Sequence, residues 1–187
     1  MFNDTKVFGF WIYLMTDLVI FAVLFSAYAV LHTQTFGGPG AKQLYHMPSA
    51  FAQTLILLTS SYTCSLATFA AHREKKKGVI AWFAVTFLLG IAFLCLEIRE
   101  FSSLAISGNS WERSAFLSSF FTLVGTHGFH ITCGLVWMLI TMIVLMFRKL
   151  TEENLSRLLR LALFWHFLDI VWIFIFTVVY AMGHLYG

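Results

Sequence analysis

The chain has 187 residues, 59% of them hydrophobic and only 11% charged, with a mean hydropathy of +0.82. Soluble domains carry about a quarter charged residues, so this composition excludes a water-soluble globule and points to lipid as the solvent. The formal net charge of +3 calls for no nucleic-acid partner, and the length predicts one all-α membrane bundle without a separate soluble domain.

Met1-Phe2-Asn3-Asp4-Thr5-Lys6 leads into an apolar run at about 7–31. That is long enough to cross ~30 Å of hydrocarbon and too long for the core of a cleavable signal peptide. Asp17 stands ten residues into the run, hence ~15 Å deep and near the midplane. Both prolines are read in the connection that follows, Pro39 within Gly37-Gly38-Pro39-Gly40 and Pro48 ahead of a second run at about 49–71. With no proline inside a run, the helices are expected to be continuous, unlike the broken helices of many transporters.

A basic connection follows, with Arg73, Lys75, Lys76 and Lys77, and Gly78 opens a third run at about 79–98. Glu97 and Glu100 lie at its far end. Ser114 is a candidate cap for a fourth, overlong run at about 116–147, which is expected to begin as an interfacial turn or to tilt. Near its start is Val124-Gly125-Thr126-His127-Gly128-Phe129-His130, in which two histidines three residues apart share a helical face beside glycines that admit a close neighbour. The 148–160 connection carries Arg148, Lys149, Arg157 and Arg160 ahead of a fifth run at about 161–184, which holds His166 and Asp169.

Lysine and arginine predict the orientation. Nine of the twelve, counting Lys6, fall on the side of the two basic connections, against Lys42, Arg99 and Arg113 on the other. This places the N-terminus inside and the C-terminus outside. Trp11, Trp82 and Trp111 fall near run ends, as interfacial aromatics do. Cys64, Cys95 and Cys133 each sit in an apolar run; their odd number and the lack of Cys-x-x-Cys argue for buried small apolar residues over a disulfide framework or thiolate metal site.

Ionisable groups inside such segments are costly unless they meet a partner helix or a cavity. On ~1.5 Å per residue, Asp17, His130 and Asp169 fall within about one helical turn of each other in depth, with His166 and Asp169 roughly 8–12 Å into the fifth run. Three readings compete. The groups are interhelical glue; or a midplane carboxylate, Asp17 above all, exchanges protons where water reaches it; or His127, His130, His166 and Asp169 supply three imidazoles and a carboxylate to iron or zinc. The metal signal is weak, since no cysteine ligand or repeated histidine-rich box accompanies it. No lysine lies in a run to form a Schiff base, and no phosphate loop, Gly-x-Ser-x-Gly elbow or His-Glu-x-x-His motif is present.

At these residues the chain resembles subunit III of the haem–copper respiratory oxidases. Residues 124–130 resemble that family's Gly-x-His-Gly-x-His signature, and Trp165-His166-Phe167-Leu168-Asp169-Ile170-Val171-Trp172 its Trp-His-Phe-x-Asp-x-x-Trp signature. Leu96-Glu97-Ile98-Arg99-Glu100-Phe101 is similar to its acidic stretch, and Gln53-Thr54-Leu55 through Ser60-Ser61 to the polar stretch of the preceding helix. The family's cytochrome c oxidase form has seven helices, whereas the five runs here begin where its third would. Phe8-Gly9-Phe10-Trp11-Ile12-Tyr13-Leu14-Met15-Thr16-Asp17-Leu18 looks most like the five-helix ubiquinol oxidases of the cytochrome bo type. The Asp17 position, a glutamate after serine in much of the family, follows Thr16 here.

The resemblance implies a non-catalytic accessory subunit of a proton-pumping quinol oxidase in the bacterial inner membrane. Haem and copper are expected in partner subunit I, the main contact, with subunits II and IV completing the complex and no cofactor in this chain. Bound phospholipid and a role in sustaining proton uptake are implied as well. Asp17, Glu97, Glu100, His127, His130, His166 and Asp169 then form an intramembrane polar or proton-related set. The alternative is an independent membrane metalloenzyme built on the four-residue histidine and aspartate cluster.

Overall fold

A computed structural model describes residues 4–35, 47–109, 111–147 and 151–183. The first connection with Gly37, Gly38, Pro39, Gly40 and Lys42, the pair Arg148 and Lys149, and the side chain of Lys6 lie outside what is described. Five helices run in chain order: α1 (Asp4–Leu31), α2 (Met47–His72), α3 (Lys76–Ile106), α4 (Ala115–Phe147) and α5 (Glu152–Ile175), the last continued by a π-helical turn, Phe176–Ala181. All five are long and apolar enough to cross a membrane.

The helix ends differ from the hydropathy reading, for local reasons. Pro48 lies inside the first turn of α2, where its missing N–H forfeits no intrahelical bond. Three residues, 73–75, then reverse the chain. Glu74 holds the left-handed conformation (φ 56°), while Lys75 N donates to Ala70 O and Glu74 N to Ala71 O. The same pair of bonds ends α3, where Gly108 takes the left-handed position and Asn109 N and Gly108 N reach Leu104 O and Ala105 O. α3 therefore runs eight residues past the expected end at 98, and Glu97 and Glu100 lie within the helix.

Ser114 caps α4, accepting from Leu117 N at 3.2 Å. The 33 residues of α4 are continuous, ~50 Å at the α-helical rise, with no interfacial break. α5 begins nine residues earlier than its apolar run. Thr151 accepts from Asn154 N, Glu152 and Glu153 occupy the first turn, and Glu153 pairs with Arg157 at 2.7 Å. His166 is thus ~21 Å and Asp169 ~26 Å along α5 from its first residue, the added length lying in the polar stretch ahead of residue 161.

α2 and α3 pack as an antiparallel pair; α3 then contacts α4, α4 contacts α5, and α5 returns to α2. α1 lies outside this ring, mainly against α4 and partly against α5. It buries one stripe, Leu14, Asp17, Phe21 and Tyr28, and exposes most of the rest of its surface. Trp165 and Trp172 of α5 fill the centre with Phe83 and Phe93 of α3. Helix–helix approach depends on Gly90 of α3 and Gly134 of α4, both set against the Trp165 ring. Cys64 is buried as expected, but Cys95 and Cys133 are exposed on the outer faces of α3 and α4.

Candidate functional site

The polar residues of α2 recur at helical spacing: Gln53, Thr54, Ser60 and Thr63 are all buried. Each finds a partner that keeps hydroxyl and indole protons away from hydrocarbon. Trp165 Nε1 donates to Ser60 Oγ at 3.0 Å, and Trp172 Nε1 to Thr54 Oγ1 at 3.1 Å. Thr63 and Thr86 share a bond of 2.8 Å between α2 and α3. These contacts fix the rotation of α2 against α3 and α5, since losing one inside a membrane leaves a polar group without water.

Three groupings hold the ionisable residues. In the first, Glu100 of α3 accepts from Gln53 Nε2 at 3.2 Å and from Tyr180 OH at 3.2 Å. The π-helical turn places Tyr180 there, and π turns recur at functional positions. Glu97, one turn earlier on α3, is 4% exposed and lies against Gly128 of α4; Glu97 Oε2 has no hydrogen-bond partner among the described residues.

In the second, His130 Nε2 of α4 faces Asp17 Oδ1 of α1 at 3.8 Å. His130 Nδ1 lies 2.7 Å from Thr126 O, and a carbonyl can only accept, so Nδ1 carries the hydrogen. The nitrogen facing Asp17 is then a bare lone pair when the ring is neutral.

In the third, Ser61 Oγ meets His166 Nδ1 at 2.6 Å, and Ser65 Oγ lies 3.4 Å from Nε2. Asp169, one turn further along α5, is 5% exposed, and neither carboxyl oxygen has a hydrogen-bond partner among the described residues.

His127 belongs to none of these groupings. It is fully buried among rings, with centroids 5.3 Å from Trp172, 5.9 Å from Phe93 and 6.3 Å from Phe21, and neither nitrogen has a hydrogen-bond partner among the described residues. Asp17 and His130 are thus brought together as their depths suggested, and Asp169 does not join them. His127, His130, His166 and Asp169 do not converge either: among the described residues no three His, Cys, Asp or Glu are grouped so as to hold a metal ion. Apart from Gln53, Thr54 and Ser60, which entered the sequence reading only through the family's polar stretch, the partner groups Thr63, Thr86 and Tyr180 were not singled out. The spacing on α2 carries a signal for Thr63; Tyr180 has none, because nothing in its sequence marks a π turn.

Five long apolar helices with buried polar groups turned inward define a multi-pass membrane bundle in which one His–Asp pair, His130 and Asp17, meets between helices. A family model described as cytochrome c oxidase subunit III matches residues 3–184. The chain is 56% identical over 183 residues to the cytochrome bo(3) ubiquinol oxidase subunit 3 of Pseudomonas aeruginosa, covering 98% of this chain and 88% of that one. It is 46% identical to the cytochrome c oxidase subunit 3 of Bacillus sp. (strain PS3), with 97% and 87% covered, and 43% identical to the quinol oxidase subunit 3 of Bacillus subtilis, with 95% and 87% covered. The chain belongs to the cytochrome c oxidase subunit III family.

Proposed function

We propose that the chain is the accessory subunit III of a terminal ubiquinol oxidase, with quinol oxidation and oxygen reduction carried out by partner subunits. The observation that carries this is the 56% identity, across nearly the whole chain, to a relative named as subunit 3 of a cytochrome bo(3) ubiquinol oxidase. Haem and copper reside in subunit I, the main contact, and subunits II and IV complete the assembly. The setting is the bacterial inner membrane, with the N-terminus inside and the C-terminus outside, as the clustering of Lys75, Lys76 and Lys77 at one membrane end supports. The chain is one membrane domain.

Within that assembly, Asp17 with His130, Glu97 with Glu100, His166 and Asp169, together with the enclosed His127, act as a polar network that fixes helix register and supports proton uptake during sustained turnover. Bound phospholipid forms part of the working subunit.

The test is affinity purification of the tagged chain from its native membrane in mild detergent. A larger haem-bearing partner and quinol-dependent oxygen consumption should copurify. Clean recovery of the chain without any haem protein, under conditions that preserve other respiratory complexes, would overturn the assignment.

A further inference from the structure

On the face that α2 turns away from the bundle, Phe51, Leu55, Leu58, Tyr62, Ser65 and Phe69 follow one another at alternating steps of four and three, and all six are exposed. Steps of four and three form the seam along which one helix packs against another. The apolar members alone would suit lipid; the polar ones do not. Tyr62 is 65% exposed and stands ten residues from the C-terminal end of α2, ~15 Å and so near the middle of ~30 Å of hydrocarbon. Lipid-facing tyrosines gather at the interfaces, where the hydroxyl reaches water. From the midplane it reaches none.

His166 of α5 borders this seam and is half-buried. Ser65 Oγ donates to Ser61 O at 3.1 Å, so toward His166 Nε2, 3.4 Å away, it can only accept. The neutral ring that fits carries its hydrogen on Nε2 and accepts from Ser61 Oγ at Nδ1, over 2.6 Å. The Nε2–H is thereby held by one long contact, and Asp169, one turn further along α5, makes no hydrogen bond to it. His166 lies five residues past the start of the apolar run at 161, ~8 Å inside the hydrocarbon and below the lipid headgroups. A donor open at that depth is costly without an acceptor.

We propose that this face seats a transmembrane helix of a partner subunit, its side chains interlocking with the α2 seam and an acceptor side chain meeting His166 Nε2. A helix fits where lipid does not, because it carries a hydrogen-bonding group to mid-depth on a rigid ridge. The acceptor is a carboxyl, amide or hydroxyl oxygen, since Nε2–H has only a proton to give. Tyr62, large and rigid, is the residue type that anchors interfaces. A second copy of this chain matches less well: packed about a two-fold axis, it would offer the same donor from both sides and add no acceptor.

The inference rests on the accessory-subunit reading and gives the partner a surface. In the assembled complex, in its native membrane, Leu58 or Phe69 is replaced by a benzophenone-bearing phenylalanine, and adducts are mapped by peptide mass spectrometry after illumination. Both positions should join one other polypeptide, at points about three turns apart in a single apolar run, with Asp, Glu, Asn, Gln, Ser or Thr between them. His166→Phe should lower the Leu58 adduct yield roughly two- to tenfold, as loss of one hydrogen bond requires. His166→Gln, which keeps an N–H, should lose less.

Adducts to lipid alone, adducts to a second copy of this chain, or an unchanged yield in His166→Phe would overturn the proposal. So would a partner run with no acceptor between the two adducts. If His166→Phe fails to assemble, the adduct map of the chain with His166 in place decides alone. Haem copurification, read on the same sample, separates the two claims. Haem without adducts along the seam defeats this proposal, whereas absence of haem defeats the subunit assignment.

Discussion

Gly90→Ala probes the packing on which the bundle depends. A Cβ at position 90 would stand 2.7 Å from Leu135 Cδ2, 2.9 Å from Trp165 Cη2 and 3.2 Å from Trp165 Cζ2. Leu135 belongs to α4 and Trp165 to α5, so one methyl would push on two neighbouring helices at once. Trp165 has little room to yield: it is fully buried, and its indole N–H is held by Ser60 Oγ at 3.0 Å. Overpacking a dense core costs ~1–3 kcal/mol, and a ring shift that breaks the indole bond adds ~0.5–1.5 kcal/mol. By the scaling of soluble domains of 150–250 residues, a loss of that size lowers the midpoint of thermal unfolding by roughly 5–15 °C. The assay is heat-induced loss of the subunit from the purified complex, with Gly9→Ala as control, because a Cβ there meets nothing within 4 Å. Leu135→Ala added to Gly90→Ala should recover part of the loss by removing the nearest clash. A Gly90→Ala complex as heat-stable as the Gly9→Ala one would refute the claim that α3, α4 and α5 are close-packed at this point.

The two glycines of the histidine motif should differ. Gly128→Ala would place a Cβ 2.5 Å from Glu97 Oε1 and displace a buried carboxyl, whereas Gly125→Ala meets only Phe101 Cε2 at an ordinary 3.7 Å. Thermal unfolding of the two variants, with only the first falling by several degrees, checks this. Asp17→Asn should leave assembly intact and alter at most the durability of turnover, since asparagine keeps the volume facing His130; loss of the haem-bearing partner from the variant complex would instead make Asp17 a packing residue. Glu74→Gly should stabilise the α2–α3 turn by ~1 kcal/mol by relieving a left-handed non-glycine residue at φ 56°, read as a higher unfolding midpoint. Trp172→Phe removes the bond to Thr54 Oγ1 and should cost ~0.5–1.5 kcal/mol for that bond, read the same way.

Five crossings were legible because lipid demands long apolar runs, and the five helices follow the expected runs in order, containing the first four and overlapping the fifth from 161 to 181. Their ends were not legible, because an apolar run stops where polarity rises while a helix stops where its backbone finds another partner. Thr151 with Glu152 and Glu153 extends α5 backward through polar sequence, and the left-handed Gly108 ends α3 well beyond Glu100. Depth counting found Asp17 opposite His130, since both helices had well-placed starts. Asp169 is level with His130 as well, since on the same two helices Trp172 meets His127 and Trp165 meets Gly134, but its carboxyl has no hydrogen-bond partner among the described residues. Rotation about a helix axis is a separate matter from depth. His127 and His130 share a face by spacing, yet His130 reaches Asp17 while His127 points among Phe21, Phe93 and Trp172. The π turn that brings Tyr180 to Glu100 has no marking residue.

The central claim is that this chain lends structure and polar contacts to a complex whose redox metals lie elsewhere. Metal and haem analysis of the gently purified complex, repeated on the chain after its partners are removed, tests it most directly. The account predicts that haem and copper track the larger partner and that the separated chain carries neither iron nor zinc in stoichiometric amount. Iron or zinc remaining with this chain at about one per molecule would contradict it, and would require His127, His130, His166 and Asp169 to come together in an arrangement different from the one described.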